Sequence, residues 1–404
     1  MKKILLYVLL SVFFVNITIA QRKSIDELEY KRSSLYSILI NHEEQKFAEE
    51  ISEVFVDIPV SDKYNDHDLS VKILTVNKKN TKEGQFEDFL VENKVASRLV
   101  AKWFNRNILT GECNLDLIKE RGLYNASEFD KEIASQSARG MAMLEDAGEE
   151  LIANTFVLVN DVRYIDKEKQ GQAAAVAMRL LGAVAAVALN DNSFMDIGEG
   201  LGQMMETLKG FKVKVTTHLY RLVWNEDLSN DFFINMYASS ALEEDKKNAF
   251  EQNRDKFKLE YVGKQISSGS DVSFMGVNLD EPTIMVRKAC QRAIDENIAN
   301  LQKNFESFKI KMPLSSVAPI QCPIGKKEGL SEQSKFEVLE SVINEKGKTV
   351  YRRVAVIQPM KGMIWDNRYM AEEENAQGAT LGVTTFKKIS GGEILPGMLI
   401  REIK

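Results

Sequence analysis

The feature that most constrains this 404-residue chain is a change of hydrophobic period near Phe308. Beyond it lie five of the seven prolines, at Pro313, Pro319, Pro323, Pro359 and Pro396, and apolar residues recur every second position. Period two is the mark of strands, and frequent proline bars long helices. The sequence therefore predicts strands over Lys335–Ser341, Thr349–Gln358, Met363–Trp365, Gly382–Lys387 and Met398–Ile403. Asn344-Glu345-Lys346-Gly347 would turn the first into the second. Residues 309–404 read as a small all-β, barrel-like domain, with Met312–Ala318 as the linker entering it.

Upstream, strands alternate with helices. A strand is expected over Ser34–Ile40, a short helix over Phe47–Phe55, a polar loop over Ser61–Asp68 and a strand over Leu69–Val76. Phe86, Phe89, Leu90, Val95, Leu99, Trp103 and Phe104 fall three and four apart, so Phe86–Phe104 reads as one core-facing helix. Leu115, Leu117 and Ile118 suggest a strand or a turn of helix. Ser127-x-x-Asp130 resembles a capping box opening a helix to Asp146, and Ile152–Ile165 reads as a long buried strand. Further strands are expected at Phe211–Val223, Phe232–Tyr237 and Leu259–Ile266, then a loop at Ser267-Ser268-Gly269-Ser270. Ala241–Phe257 reads as a helix, and Pro282 opens a long one running to Phe305. The fold class implied for residues 21–308 is α/β (α+β) with a mixed sheet.

Within it, 168–210 is an Ala/Gly-rich helical insertion. Small side chains gain little from their own burial, so such a helix is expected to pack closely against another backbone, within the domain or in a neighbouring subunit. Ala183 is the candidate contact residue. The run is shorter than the roughly 20 apolar residues of a membrane span and carries Arg179 at its middle. Membrane contact is therefore open, but no spanning segment is indicated.

The first twenty residues pair Lys2 and Lys3 with the apolar Ile4–Val15 and close on Thr18-Ile19-Ala20, the pattern of a signal peptide cleaved before Gln21. Export to the periplasm or cell surface is expected. No cysteine follows, so a lipidated N-terminus is not expected. Cys113, Cys290 and Cys322 are either small buried hydrophobes or, for the last two, a disulfide. A net charge of −6, with signs interspersed, argues against nucleic acid.

Chemical motifs break at named positions. His42-Glu43 lacks a second histidine because Lys46 stands there. Asp62, Asp66, His67 and Asp68 lack the glycine and final acid of a calcium loop. Gly347-Lys348-Thr349 lacks the first glycine of a phosphate loop, since Val342 occupies its place, and Gly198-Glu199-Gly200-Leu201-Gly202 sets a carboxylate where a pyrophosphate would lie. Asn125-Ala126-Ser127 is a glycosylation sequon or a helix cap. No cofactor, metal or catalytic residue is expected; His218 beside Leu219 reads as a core or edge histidine. A paired-carboxylate glycosidase stays open, because spatial pairing does not show in sequence. Trp365, Asp366, Asn367, Arg368 and Tyr369 form the densest polar and aromatic group, so Trp365, Arg368 and Tyr369 are candidate partner contacts. The other reading is a turn whose aromatics fold into the barrel.

Across residues 31–305, the helix at Phe86, the step Leu115-Asp116-Leu117-Ile118-Lys119-Glu120, the helix ending at Ala147-Gly148, the strands Asn154–Asn160 and Phe211–Val223 and the helix Thr283–Leu301 together resemble the CsgG-like family of curli secretion. Ile324–Leu330 and Leu395-Pro396-Gly397-Met398-Leu399 are similar to turns of the small β-barrel of flagellar T-ring assembly proteins. The chain departs from that family in lacking the lipoprotein cysteine and evident spanning hairpins. The resemblance implies an exported, non-enzymatic envelope scaffold or assembly accessory that works through protein partners and as a homo-oligomer. The reading from a different class is a secreted hydrolase with an unplaced carboxylate pair.

Overall fold

A computed structural model describes residues 32–61, 63–75, 85–125, 147–165, 175–185, 193, 195–199, 209–273, 282–343, 349–374 and 381–403. The expected signal peptide, the expected capping box with its helix to Asp146, and the expected Asn344–Gly347 turn lie outside them. β1 (Ser34–Asn41) is the hub of the first sheet. On one side it pairs in parallel with β2 (Asn65–Asp66) and β3 (Ile73–Thr75), on the other with β4 (Thr155–Tyr164). β5 (Lys209–Leu222) and β6 (Leu259–Ser273) continue antiparallel, giving the order β2-β1-β4-β5-β6, with β3 also on β1. The sheet is mixed, as the sequence implies.

Strand alternation sorts β1 and β4 between two cores. Tyr36, Ile38, Ile40, Val157 and Val159 face α2 (Gln85–Glu92), α3 (Val95–Trp103), α4 (Asp116–Asn125), α5 (Glu226–Asn235) and α6 (Glu244–Gln252). Leu39, Val162, Phe211, Val213 and Val215 face α1 (Ala48–Asp57) and α7 (Pro282–Asn304), and Leu35, Phe156 and Leu158 meet Leu301 and Phe308 near the end of α7. A buried polar chain crosses this second face. Asn160 Nδ2 donates to Ser37 Oγ at 3.0 Å, Thr217 Oγ1 donates to Asn160 Oδ1 at 2.8 Å, and Asn297 Nδ2 donates to Thr217 Oγ1 at 2.9 Å. One hydroxyl thus serves as donor and acceptor, tying β1, β4, β5 and α7 together.

The second sheet is antiparallel throughout, in the order β7-β13-β10-β11-β12-β9-β8. Its strands are β7 (Met312–Pro313), β8 (Ser316–Val317), β9 (Ile320–Cys322), β10 (Lys335–Ile343), β11 (Thr349–Pro359), β12 (Thr384–Gly391) and β13 (Leu399–Ile403). β7 and β8 occupy opposite edges yet are only two residues apart in the chain. The sheet must therefore curl until its edges almost meet, a half-barrel closed around Phe336, Val338, Ile357 and Phe386. Leu314 N donates to Met398 O at 3.0 Å and Ser315 N to Gln321 O at 2.9 Å across that seam.

Several expectations are corrected. Met312–Ala318 is no linker but the barrel seam; Pro313 fits there because an edge strand does not need every N–H. Phe232–Tyr237 is not a strand, since Asn225 Oδ1 accepts from Leu228 N and caps α5 through this stretch. Ser267–Ser270 belongs to β6, and Met363–Trp365 makes only a single bridge, Trp365 to Gly325. The expected helix Phe86–Phe104 is two helices, because Lys94 takes a left-handed φ of 51°. The Leu69–Val76 strand shrinks to β3, and Ile152–Asn154 belongs to a tight helical turn before β4. Ala241–Phe257 becomes α6 followed by a turn at Arg254–Lys256. Cys113, Cys290 and Cys322 are free and buried, so the disulfide alternative falls.

Candidate functional site

The Trp365–Tyr369 group lies in the joint between the two domains and is half buried. Trp365 N donates to Thr384 Oγ1 at 3.0 Å, and its carbonyl accepts from Lys326 N at 2.9 Å. A Cβ on Gly325 would stand 2.2 Å from that carbonyl, so only glycine allows the approach. Arg368 grips Asp366 at 2.7 Å, and this bond holds the Asp366 carboxyl below the usual carboxylate range. The Tyr369 carbonyl accepts from Arg292 of α7 at 2.7 Å. Tyr369 is thus engaged by the chain's own first domain through its backbone.

The joint continues through paired charges. Lys63, just before β2, bonds Glu328, whose other oxygen accepts from Gly325 N at 2.6 Å and Asn367 Nδ2 at 2.8 Å. Lys303 of α7 donates to the Gly329 carbonyl at 2.7 Å, and Arg401 reaches Glu306 at 2.6 Å. Asp295 of α7 sits 3.5 Å from Lys327, with its Oδ2 buried and without a hydrogen-bond partner. Burial pushes the Asp295 carboxyl up to about 6, against the opposing pull of Lys327. Because the folded state then holds a proton that the unfolded chain has released, stability falls as pH rises from the ordinary carboxylate value to about 6. Asp295→Asn should stabilise the protein at pH 7 by up to about 3 kcal/mol and flatten that slope, read by urea unfolding across pH 4–7.

The three histidines are enclosed. His42 Nε2 lies 2.6 Å from Asp161, and although burial opposes its charge, hydrogen bonds from His42 and Arg163 keep the Asp161 carboxyl low. His67 Nε2 donates to the Leu99 carbonyl at 3.0 Å while Nδ1 accepts from Arg121 at 2.7 Å. His218 packs edge-on against Phe86. Among the described residues no group of three His, Cys, Asp or Glu could hold a metal, and Asp295, the carboxylate that burial raises, is shut inside the joint.

The insertion contributes helical segments at 175–185 and 195–199. A Cβ on Gly198 would meet Gly182 Cα at 2.9 Å, so the two backbones touch there, and Arg179 bonds Glu199 at 2.8 Å across them. Ala183 is half buried. The face turned to solvent carries Val176, Leu180, Leu181 and Val184, each about 60% exposed, with Met195 and Ile197 on the second segment. Residues 200–202 of the glycine motif lie outside the described residues. No described helix is long and apolar enough to cross a membrane.

Sequence reasoning missed a second exposed group, Ile108 and Leu109, since a two-residue apolar step has no period. A 105–113 turn holds them at 94% and 95% exposure. No protein-family model matches this chain, and no curated protein matches it in sequence.

Proposed function

We propose that this is an exported, non-enzymatic envelope protein of the CsgG-like kind that serves as a scaffold or assembly accessory through protein contacts. The observation that carries the reading is the apolar face of 175–185. Val176, Leu180, Leu181 and Val184 recur at helical spacing and stay exposed, while Gly182 of the same helix packs against Gly198. Contiguous exposed apolar residues of this kind mark interaction sites on folded proteins. Ala183 lies beside that contact, so the partner is expected to meet the leucines instead. The charge-linked joint supports the same reading, because it holds the two domains as fixed arms of one support. Against the hydrolase reading, the three histidines and the raised Asp295 carboxyl are all enclosed among the described residues.

The test is the assembly state of the exported chain by size-exclusion chromatography with light scattering. Wild type should run as an oligomer or with an envelope partner after crosslinking, and Leu180→Ser with Leu181→Ser should release a monomer with an unchanged melting curve. A wild type that is monomeric and captures nothing overturns the scaffold.

A further inference from the structure

The loop bearing Ile108 and Leu109 is held by a dense set of hydrogen bonds. Asn107 Oδ1 accepts from Leu109 N at 2.8 Å and Thr110 N at 3.0 Å, and the Asn107 backbone exchanges bonds with Gly111 N at 2.9 Å and Glu112 O at 2.8 Å. At the base, Cys113 N donates to Ala238 O at 2.7 Å. That last bond joins the loop to the turn carrying Leu242, which is 89% exposed. Lys247 completes the link: its Nζ donates to Ala241 O at 2.7 Å, and its stem runs where a Gly111 Cβ would stand, 2.8 Å from Cδ. Three large aliphatic side chains therefore project from one braced edge.

Below this edge opens a cleft of about 880 Å³ lined by Arg98, Lys102, Arg106, Lys247 and Arg254 against Asp68, Glu244 and Glu251. Arg106 and Arg254 pair with Glu251 at 3.0 and 2.8 Å, and Lys247 pairs with Glu244 at 2.7 Å. Arg98 and Lys102 donate instead to the carbonyls of Leu69 and Asp68, so the five cations of the lining outnumber its three carboxylates by two. In a chain of net charge −6 this is a local basic surface. Near-complete exposure means that no wall of the protein shelters the two aliphatics. A fluid acyl region accepts such a convex tip without a preformed pocket, and cations at its base meet anionic headgroups.

We propose that the 105–113 edge docks on an anionic lipid surface, with Ile108 and Leu109 inserted at the headgroup boundary and the cleft cations against lipid phosphates. This contact is independent of the scaffold face on 175–185. It is tested by flotation of the full exported chain with phosphatidylcholine vesicles, with and without phosphatidylglycerol. The chain should float with the anionic vesicles, weaken with rising salt, and lose about tenfold or more in affinity on Ile108→Ser with Leu109→Ser while its melting temperature stays put. In Leu109→Trp, the added emission should shift to the blue when anionic vesicles are present. Absence of wild-type flotation overturns the proposal, as does flotation that the double serine variant leaves intact. A double variant that loses a protein partner but keeps its lipid binding would show the edge to be a protein contact, and would overturn it equally.

Discussion

Gly269→Ala should destabilise the protein by about 3 to 5 kcal/mol, and denaturant unfolding measures the loss directly. A Cβ at residue 269 would lie 1.8 Å from the Ala289 carbonyl oxygen and 2.7 Å from its carbon, so the helix backbone itself is in the way. α7 cannot simply retreat. It presses Val286, Ala289, Cys290 and Ala293 into the sheet as buried residues, and Asn297 is bonded to Thr217 and to the Val215 carbonyl. Close-packed interiors turn one added methyl into a shift of a whole element. Gly382→Ala, with nothing within 4 Å of its added Cβ, is the matched control and should be near neutral. If Gly269→Ala melted like Gly382→Ala, the contact between β6 and α7 would be refuted.

Arg121→Ala should cost a similar 3 to 5 kcal/mol, roughly, because it strands a buried network rather than removing one bond. Arg121 donates to Ser34 Oγ at 3.0 Å, to the Asp66 carbonyl at 2.8 Å and to His67, and its guanidinium stacks 4.4 Å from the Trp103 ring centre. Burial, reinforced by the Arg121 charge, holds His67 neutral with its pKa well below the ordinary value. The unfolded chain takes up that proton first, so this group's contribution is present above roughly pH 6.5 and is lost as pH falls below it. Arg121→Ala should therefore lower stability at pH 8 and also soften its decline toward pH 5. Equal losses at both pH values would mean that the arginine does not govern the histidine. Asp295 works with the opposite sign, so Asp295→Asn should leave the acid decline due to His67 in place.

The parts of the fold legible in the sequence were those whose pattern depends on neighbours a few residues away. β1 and β4 carry apolar residues toward both cores, and the division near Phe308 separates helical from strand periodicity, so the two architectures could be anticipated. Long-range causes were not legible. Ser267-Ser268-Gly269-Ser270 has the composition of a loop, but its glycine exists to let α7 approach β6. Phe232, Phe233 and Tyr237 have strand-forming side chains, yet they build the aromatic group around Phe104 from a helix capped by Asn225. Prolines near 313 suggested a connection because nothing local announces which strands will be edges. At the candidate sites, the sequence marks Trp365 to Tyr369 as a dense polar and aromatic group, but nothing local announces that the Tyr369 carbonyl meets Arg292, 77 residues away. Ala183 is half buried, whereas Leu180 and Leu181 of the same segment face solvent, a difference that the Ala/Gly-rich composition does not announce.

The connection between β4 and β5 carries a consequence for how freely this protein can change. The two strands are antiparallel neighbours, paired from Phe156↔Arg221 to Tyr164↔Val213, and Ile165 N donates to Lys212 O at 2.8 Å beyond the last pair. Such neighbours can be joined by a turn of a few residues, so the sheet places almost no demand on the insertion between them, and its length adds little closure entropy. The strand pairing thus leaves the length and content of the connection between Ile165 and Lys209 largely unconstrained. Variation in that connection can accumulate without renegotiating how the flanking strands pair.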